Sequence, residues 1–210
     1  MNSIARRTRE KEATRRRIME AARELFVREG VAGVTMRRIA QAIEYTPTAI
    51  YHHFADKDAL LRELCDHDFR ALAQVFLRVG RIPDPVERLR AIGKAYLRFG
   101  LEHREQYRFM FMTEHVDVPH DKRNLEKGNP DEDAYAFLRE AVRDAIAGGH
   151  LAAPFQDEEM VAQMLWAAVH GFVALRITHG NDAWIDWTDA LATGDRLMDT
   201  VTGGLVRGPA

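Results

Sequence analysis

The sequence predicts an all-α protein. Apolar residues recur at three- and four-residue steps through most of the chain, no segment alternates as a strand would, and helix-start pairs such as Thr46-Pro47 and Asp84-Pro85 alternate with glycine breaks. No internal repeat or low-complexity tract interrupts the pattern.

The first well-defined unit is a helix pair in TMRRIAQAIEYTPTAIYHHFADKD, residues 35–58. Thr35 is placed to cap a helix in which Ile39, Ala42 and Ile43 make one apolar face. Thr46 caps the next helix, and Pro47 follows in its first turn, where proline is tolerated. Ala49, Ile50 and Phe54 are placed to face the first helix, which leaves Thr48, Tyr51, His52 and His53 for solvent or a partner. These side chains suit a DNA groove: threonine offers a methyl to thymine and a hydroxyl to phosphate, while tyrosine and histidine can donate to phosphate or base edges. Lys57 sits where the next helix begins and is placed to hold a phosphate with nearby backbone N–H groups. A helical hairpin with a solvated outer face satisfies the same spacing.

Leu60, Leu61, Leu64, Leu72, Val75, Phe76 and Val79 then mark one long connecting helix, closed by Gly80 and the RIPDP segment. Asp84 caps a helix through Leu89, Ile92, Tyr96 and Phe99, and a shorter one holds Tyr107, Met110 and Phe111. Residues 113–131 lose the periodicity and are expected as a loop. Three further helices follow: about 132–147, ended by Gly148 and Gly149; one from Asp157 through Val161, Leu165, Val169, Phe172 and Leu175; and one from Thr188 through Leu191, Leu197, Met198, Val201 and Leu205. The middle one, EEMVAQMLWAAVHGFVALRI, is apolar on nearly every side, so it must be buried on more than one face. Ala167, Ala168, Gly171 and Ala174 allow other helices to approach it closely.

Charge separates the two ends of the chain. Residues 1–60 carry 12 Lys/Arg against 8 Asp/Glu, net +4, whereas residues 61–210 carry 18 against 24, net −6, which gives −2 in all. The basic excess concentrates at Arg6, Arg7, Arg9, Lys11, Arg15, Arg16 and Arg17, an arm that attracts phosphates without reading sequence, or simply a solubilising terminus. With 210 residues and 46% hydrophobic content the chain can build one large or two small cores. No stretch reaches the eighteen uncharged apolar residues of a membrane helix and the N-terminus is charged, so the expectation is a cytoplasmic protein without a membrane partner. The single cysteine, Cys65, excludes an intrachain disulfide and reads as a buried structural thiol.

Residues 15–64, RRRIMEAARELFVREGVAGVTMRRIAQAIEYTPTAIYHHFADKDALLREL, resemble the N-terminal DNA-binding domain of the TetR family of transcriptional regulators. The likeness rests on a leading helix with Ala21, Ala22, Leu25 and Phe26, the Gly30 break, Thr35 with Ile39 and Ala40, the run Ile50-Tyr51-His52-His53-Phe54, and Lys57 with Leu60 and Leu61. It implies a three-helix, homeodomain-like helix-turn-helix domain whose third helix enters the major groove, a helical C-terminal domain for a small molecule, and a homodimer on a palindromic operator. On this reading residues 1–11 are a flexible arm, 12–58 the DNA-binding domain, 59–80 the connecting helix, and 81–210 the effector-binding and dimerisation domain. Thr46, Pro47, Thr48 and Ala49 then stand at the groove-entering end of the reading helix, Tyr51 and Lys57 at phosphate-contacting places, and Thr35 with Arg37 at the start of the supporting helix; His52 and His53 complete the candidate set. Pro47 departs from the flexible small residues common after this turn and removes a backbone donor. Trp166, His170 and Gly171 further resemble the C-terminal domain of a TetR subgroup named for those letters.

The resemblance implies a dimer through residues 157–179 and 188–206, paired as a four-helix bundle. An effector of unidentified chemistry would be lined by Tyr96, Phe99, His103, Tyr107, Phe111, Phe137, Met164, Trp166 and His170, although each of these also suits plain core packing. No cofactor is implied. Glu114, His115, Asp117, His120 and Asp121 have metal-ligand chemistry but lack the spacing of a zinc or calcium site, and His170 has no second ligand a helical turn away. The sequence has no nucleophile triad or phosphate loop, so enzyme chemistry at His103 or His170 is not expected; a helical scaffold without specific DNA binding is the other reading.

Overall fold

The structure is a computed structural model that describes residues 3–114 and 124–206. Among these residues nine helices run in order: α1 (Ser3–Glu29), α2 (Met36–Ala42), α3 (Pro47–Tyr51), α4 (Lys57–Val79), α5 (Pro85–Glu102), α6 (Arg104–Met112), α7 (Ala134–Ala147), α8 (Glu158–His179) and α9 (Ala190–Leu205). The only extended pairing among them is an isolated antiparallel bridge between Leu151 and Val206. The chain divides into two compact units, residues 1–68 with 105–124, and residues 69–104 with 125–210. The connecting helix α4 therefore contributes to both, and α6 belongs almost wholly with the first, unlike the expected single boundary near residue 80.

The helix starts follow the predicted caps. The hydroxyls of Thr35 and Thr46 accept from the N–H groups of Arg38 and Ala49 at 3.1 and 3.2 Å, and the Asp84 and Asp157 carboxylates do the same for Glu87 and Met160 at 2.9 and 3.0 Å. Asp189, not Thr188, caps α9. Residues 3–11 correct an expectation. They continue α1 instead of forming a flexible arm, because arginine, glutamate, lysine and alanine are all strong helix formers and Arg6 pairs with Glu10 one turn on.

In the first unit, α1, α2, α3, the start of α4 and α6 share one core around Ile18, Ala22, Leu25, Phe26, Ile39, Ile50, Leu60, Leu64 and Phe109. The Phe26 and Phe109 rings stack with centroids 6.1 Å apart. Cys65 is a buried thiol of the same core. The apolar face of α2 is Met36, Ile39, Ala40 and Ile43; Ala42, expected on it, is exposed. Asp68 is 0% exposed and accepts from both arms of Arg23 (2.9 and 2.7 Å) and from Gln106 (3.1 Å), which ties α1, α4 and α6 through one carboxylate.

In the second unit α5 packs against α7, α8 and α9, and α8 against α7 and α9. Two glycines set the α5–α9 spacing. A Cβ at Gly93 would overlap the Met198 side chain, and one at Gly194 would lie 2.9 Å from Leu97 Cδ1. By length and composition α8 is apolar enough to cross a membrane, contrary to expectation. Its apolar surface is instead divided between three packed neighbours and an outward stripe, and its Arg176 is buried inside the unit.

Candidate nucleic-acid interface

α3 is short, and its neighbours fix its orientation. Ile50 and Phe54 face inward, buried in the core, while Thr46, Thr48, Tyr51 and His52 are exposed and Pro47 and Ala49 are half-buried. Tyr51 is 53% exposed, a large ring held out in water on a helix of only five residues. Thr35 and Arg37 at the start of α2 are exposed as well.

The capping hydroxyls have their chemistry set by the fold. Because Thr35 and Thr46 each accept a backbone N–H, each keeps its own O–H to donate to an acceptor outside. Phosphate oxygens are acceptors only. Pro47 has no N–H, and the Ala49 N–H is consumed by the cap, so the start of α3 offers side-chain groups more than backbone donors.

Arg15 anchors the far end of α3. It donates to the His53 carbonyl and the Glu63 carboxylate, and its guanidinium carbon lies 4.3 Å from the centre of the Phe54 ring. It is thus a structural member of the domain, whereas Arg16 and Arg17 stay exposed; Arg17 also lies 5.4 Å over the Tyr45 ring in the α2–α3 turn. That turn contains Glu44 at φ 60°, the left-handed region, which costs an L residue about 1–2 kcal/mol.

Two of the predicted contacts are otherwise occupied. Lys57 donates to the carbonyls of Val31 and Val34 at 3.0 and 3.1 Å, which leaves one of its three N–H donors uncommitted by these bonds. A cation in the first turn of α4 faces the positive end of the helix and is stabilised by carbonyls that the α1–α2 loop offers. His53 is half-buried, with Nδ1 lacking a hydrogen-bond partner among the described residues. Burial, and then the nearby Arg15 and Lys11 charges, lower its pKa. It is a neutral packing residue at neutral pH, not a cation for phosphate.

The predicted effector residues are divided between the units. Tyr107 and Phe111, with rings 4.9 Å apart, belong to the first unit. Tyr96, Trp166 and His170 come together in the second: Trp166 Nε1 donates to Tyr96 Oη at 3.2 Å, and Tyr96 Oη lies 3.3 Å from His170 Nδ1. Burial lowers the His170 pKa, so the ring is neutral at neutral pH, and in its Nε2–H tautomer Nδ1 accepts the tyrosine O–H. Phe137 reaches Tyr96 through Phe76, with ring centroids 6.0 and 6.5 Å apart. Phe99 is buried against an exposed His103, at 5.2 Å. Met164 lies two residues from Trp166, which is 200° around the helix, and is exposed there.

Sequence reasoning missed Tyr135, whose ring is 5.7 Å from Trp166 and whose hydroxyl donates to Glu159. It also missed the buried Asp68, in the polar run CDHDFR, and Arg176, near the end of the apolar helix α8. Of the acidic and histidine group near residue 115, only Glu114 falls within the described residues.

Two family models match successive stretches of the chain. Residues 18–64 match the model of bacterial regulatory proteins of the tetR family, and residues 89–201 match the Tetracyclin repressor-like C-terminal domain. The HTH-type transcriptional repressor Rv1474c of Mycobacterium tuberculosis is 44% identical over 70 residues, which cover 33% of this chain and 37% of that repressor. The HTH-type transcriptional regulator UidR of Escherichia coli is 37% identical over 79 residues, 37% of each chain. The chain thus spans little more than a third of the length of the curated relatives it matches. Among solved structures, a TetR family regulator of Marinobacter aquaeolei has the same fold over 95% of this chain and 98% of its own, with a TM-score of 0.75 at 19% identity. The ketosteroid regulator KstR2 of Mycobacterium tuberculosis does so over 93% and 96%, with a TM-score of 0.67 at 18% identity.

Proposed function

The chain belongs to the TetR family of bacterial regulatory proteins, and from that premise we propose that it is a homodimeric transcriptional repressor whose α3 reads a palindromic operator. The observation that carries the reading is the outer face of α3. A five-residue helix is pinned through Ile50, Phe54 and Arg15 and holds Thr46, Thr48, Tyr51 and His52 to solvent. Thr48 meets base edges in the major groove, Tyr51 and the capping hydroxyls of Thr35 and Thr46 donate to phosphates, and Arg37 adds charge. Lys57 contributes chiefly by holding the loop before α2. Two such helices in a dimer reach adjacent major grooves when they stand roughly 34–36 Å apart, one DNA turn.

The same reading assigns the dimer to α8 and α9 and an effector to the C-terminal unit, beside the Tyr96, Trp166 and His170 chain. A small molecule releases the operator only by binding the non-binding conformation more tightly than the binding one. The soluble partners are therefore double-stranded DNA, a second copy and a small molecule, which suits a cytoplasmic regulator.

Electrophoretic mobility shifts on the promoter region of the protein's own gene test the DNA contacts. Tyr51→Ala and Thr48→Ala are expected to weaken binding at least tenfold each without altering the circular dichroism spectrum. Undiminished binding by both variants removes α3 as the reading helix.

A further inference from the structure

Residues 180–189 join α8 to α9 and are tied at both ends. Trp187 Nε1 donates to the His179 carbonyl at 2.9 Å, and the Asp182 carboxylate accepts from the Trp184 N–H at 2.9 Å. Arg176, only 7% exposed, donates to the Thr188 carbonyl and hydroxyl at 2.9 and 3.2 Å, with its guanidinium carbon 4.4 Å from the Trp187 ring centre and 5.3 Å from that of Phe172. A buried guanidinium placed between two rings fixes the loop against the end of α8.

On this fixed loop Trp184 is 95% exposed, and Ile185 beside it is exposed as well. Seven of the eight large hydrophobic side chains left exposed among the described residues lie between positions 160 and 191, with Tyr51 the exception. On α8, Met160, Met164, Ala167, Gly171 and Leu175 fall at three- and four-residue steps, and Leu191 opens α9 on the other side of the loop. Exposed apolar side chains thus stand on one stripe of α8, which Trp166 does not share, on the loop and at the start of α9. Patches of this kind mark interaction sites, and a tryptophan can bury roughly 150–250 Å².

We propose that Trp184 is the anchor of the homodimer, docking on the same apolar surface of a second copy; this rests on the α8–α9 dimer proposed above. The loop is continuous with both helices of that dimer, and the small residues Ala167 and Gly171 on the stripe permit close helix approach, a Cβ at Gly171 meeting nothing within 4 Å. Asp182, Asp186 and Asp189 lie within five residues of Trp184 in the sequence, and their charge disfavours an anionic membrane surface as the occupant.

Sedimentation velocity across a dilution series tests this with full-length wild type, Trp184→Ala and Trp184→Phe. The wild type is expected to be a dimer, and Trp184→Ala to raise the dissociation constant about a hundredfold, tenfold for each symmetry-related anchor, while Trp184→Phe recovers most of the loss. Wild-type minus Trp184→Phe emission spectra should show a blue-shifted indole above the dissociation constant and a red-shifted one below it. A dimer whose constant changes less than twofold in Trp184→Ala overturns the anchor while leaving the dimer in place. A monomeric wild type at every concentration overturns both. A blue shift produced only by phosphatidylglycerol vesicles, with dimerisation unaffected, assigns the loop to a membrane and overturns the proposal.

Discussion

Thr46 shows how single residues serve fold and function together. Its oxygen closes the first turn of α3 by accepting the Ala49 N–H, and the proton that remains is the one a phosphate can accept. His170 illustrates the opposite case, a titratable group kept neutral by burial. Its folded pKa lies below the ordinary value of 6.5, so the unfolded chain takes up its proton first as pH falls. No penalty exists well above pH 6.5; one builds as pH drops below that value and is complete once the lower folded value is passed. The stability difference between wild type and His170→Gln, followed by urea denaturation from pH 8 to pH 5, should therefore move in favour of the variant toward acid. A difference independent of pH contradicts the neutral His170 and its bond to Tyr96.

At the scale of elements, the α2–α3 turn holds the clearest conflict between sequence and backbone. Glu44 occupies the left-handed region, at φ 60°, and places a carboxylate in the turn before α3. Glycine removes the backbone cost, offset in part by the greater freedom of its unfolded chain. Glu44→Gly is predicted to stabilise the first unit by about 0.5–1 kcal/mol in chemical denaturation and to tighten DNA binding through the lost negative charge. A destabilised variant contradicts the strained turn. Elements with local signals were legible: Thr35, Thr46-Pro47 and Asp84-Pro85 announced their helices because a cap acts within three residues. The N-terminal end of α1 was not, since charged residues favour both solvated arms and helices, and only the arrangement of charges at helical spacing separates the two. Ala40 and Ala42 were confused because alanine carries too little hydrophobicity to mark a face.

For the whole molecule, interactions between distant segments decide what the sequence could not. Arg15 was grouped with a phosphate-attracting arm, but Glu63, 48 residues away, holds it inside. Lys57 meets carbonyls 26 and 23 residues earlier, and Asp68 joins Arg23 and Gln106 across 45 and 38 residues. Partners so far apart leave no periodic trace. The exposed face of α3 was legible because its pattern is local, whereas the effector set divided because its residues were gathered by type instead of by contact. The basic surplus of residues 1–60, net +4, remains the long-range feature that attracts DNA, carried by exposed cations such as Arg16, Arg17 and Arg37. The measurement that bears most directly on the regulator as a whole is fluorescence-anisotropy binding to a duplex from its own promoter and to a scrambled duplex, between 50 and 200 mM salt. Specific reading by α3 predicts a preference of about a thousandfold or more for the promoter duplex, with affinity for both falling steeply as salt rises. Equal affinity for the two duplexes, or binding indifferent to salt, contradicts it.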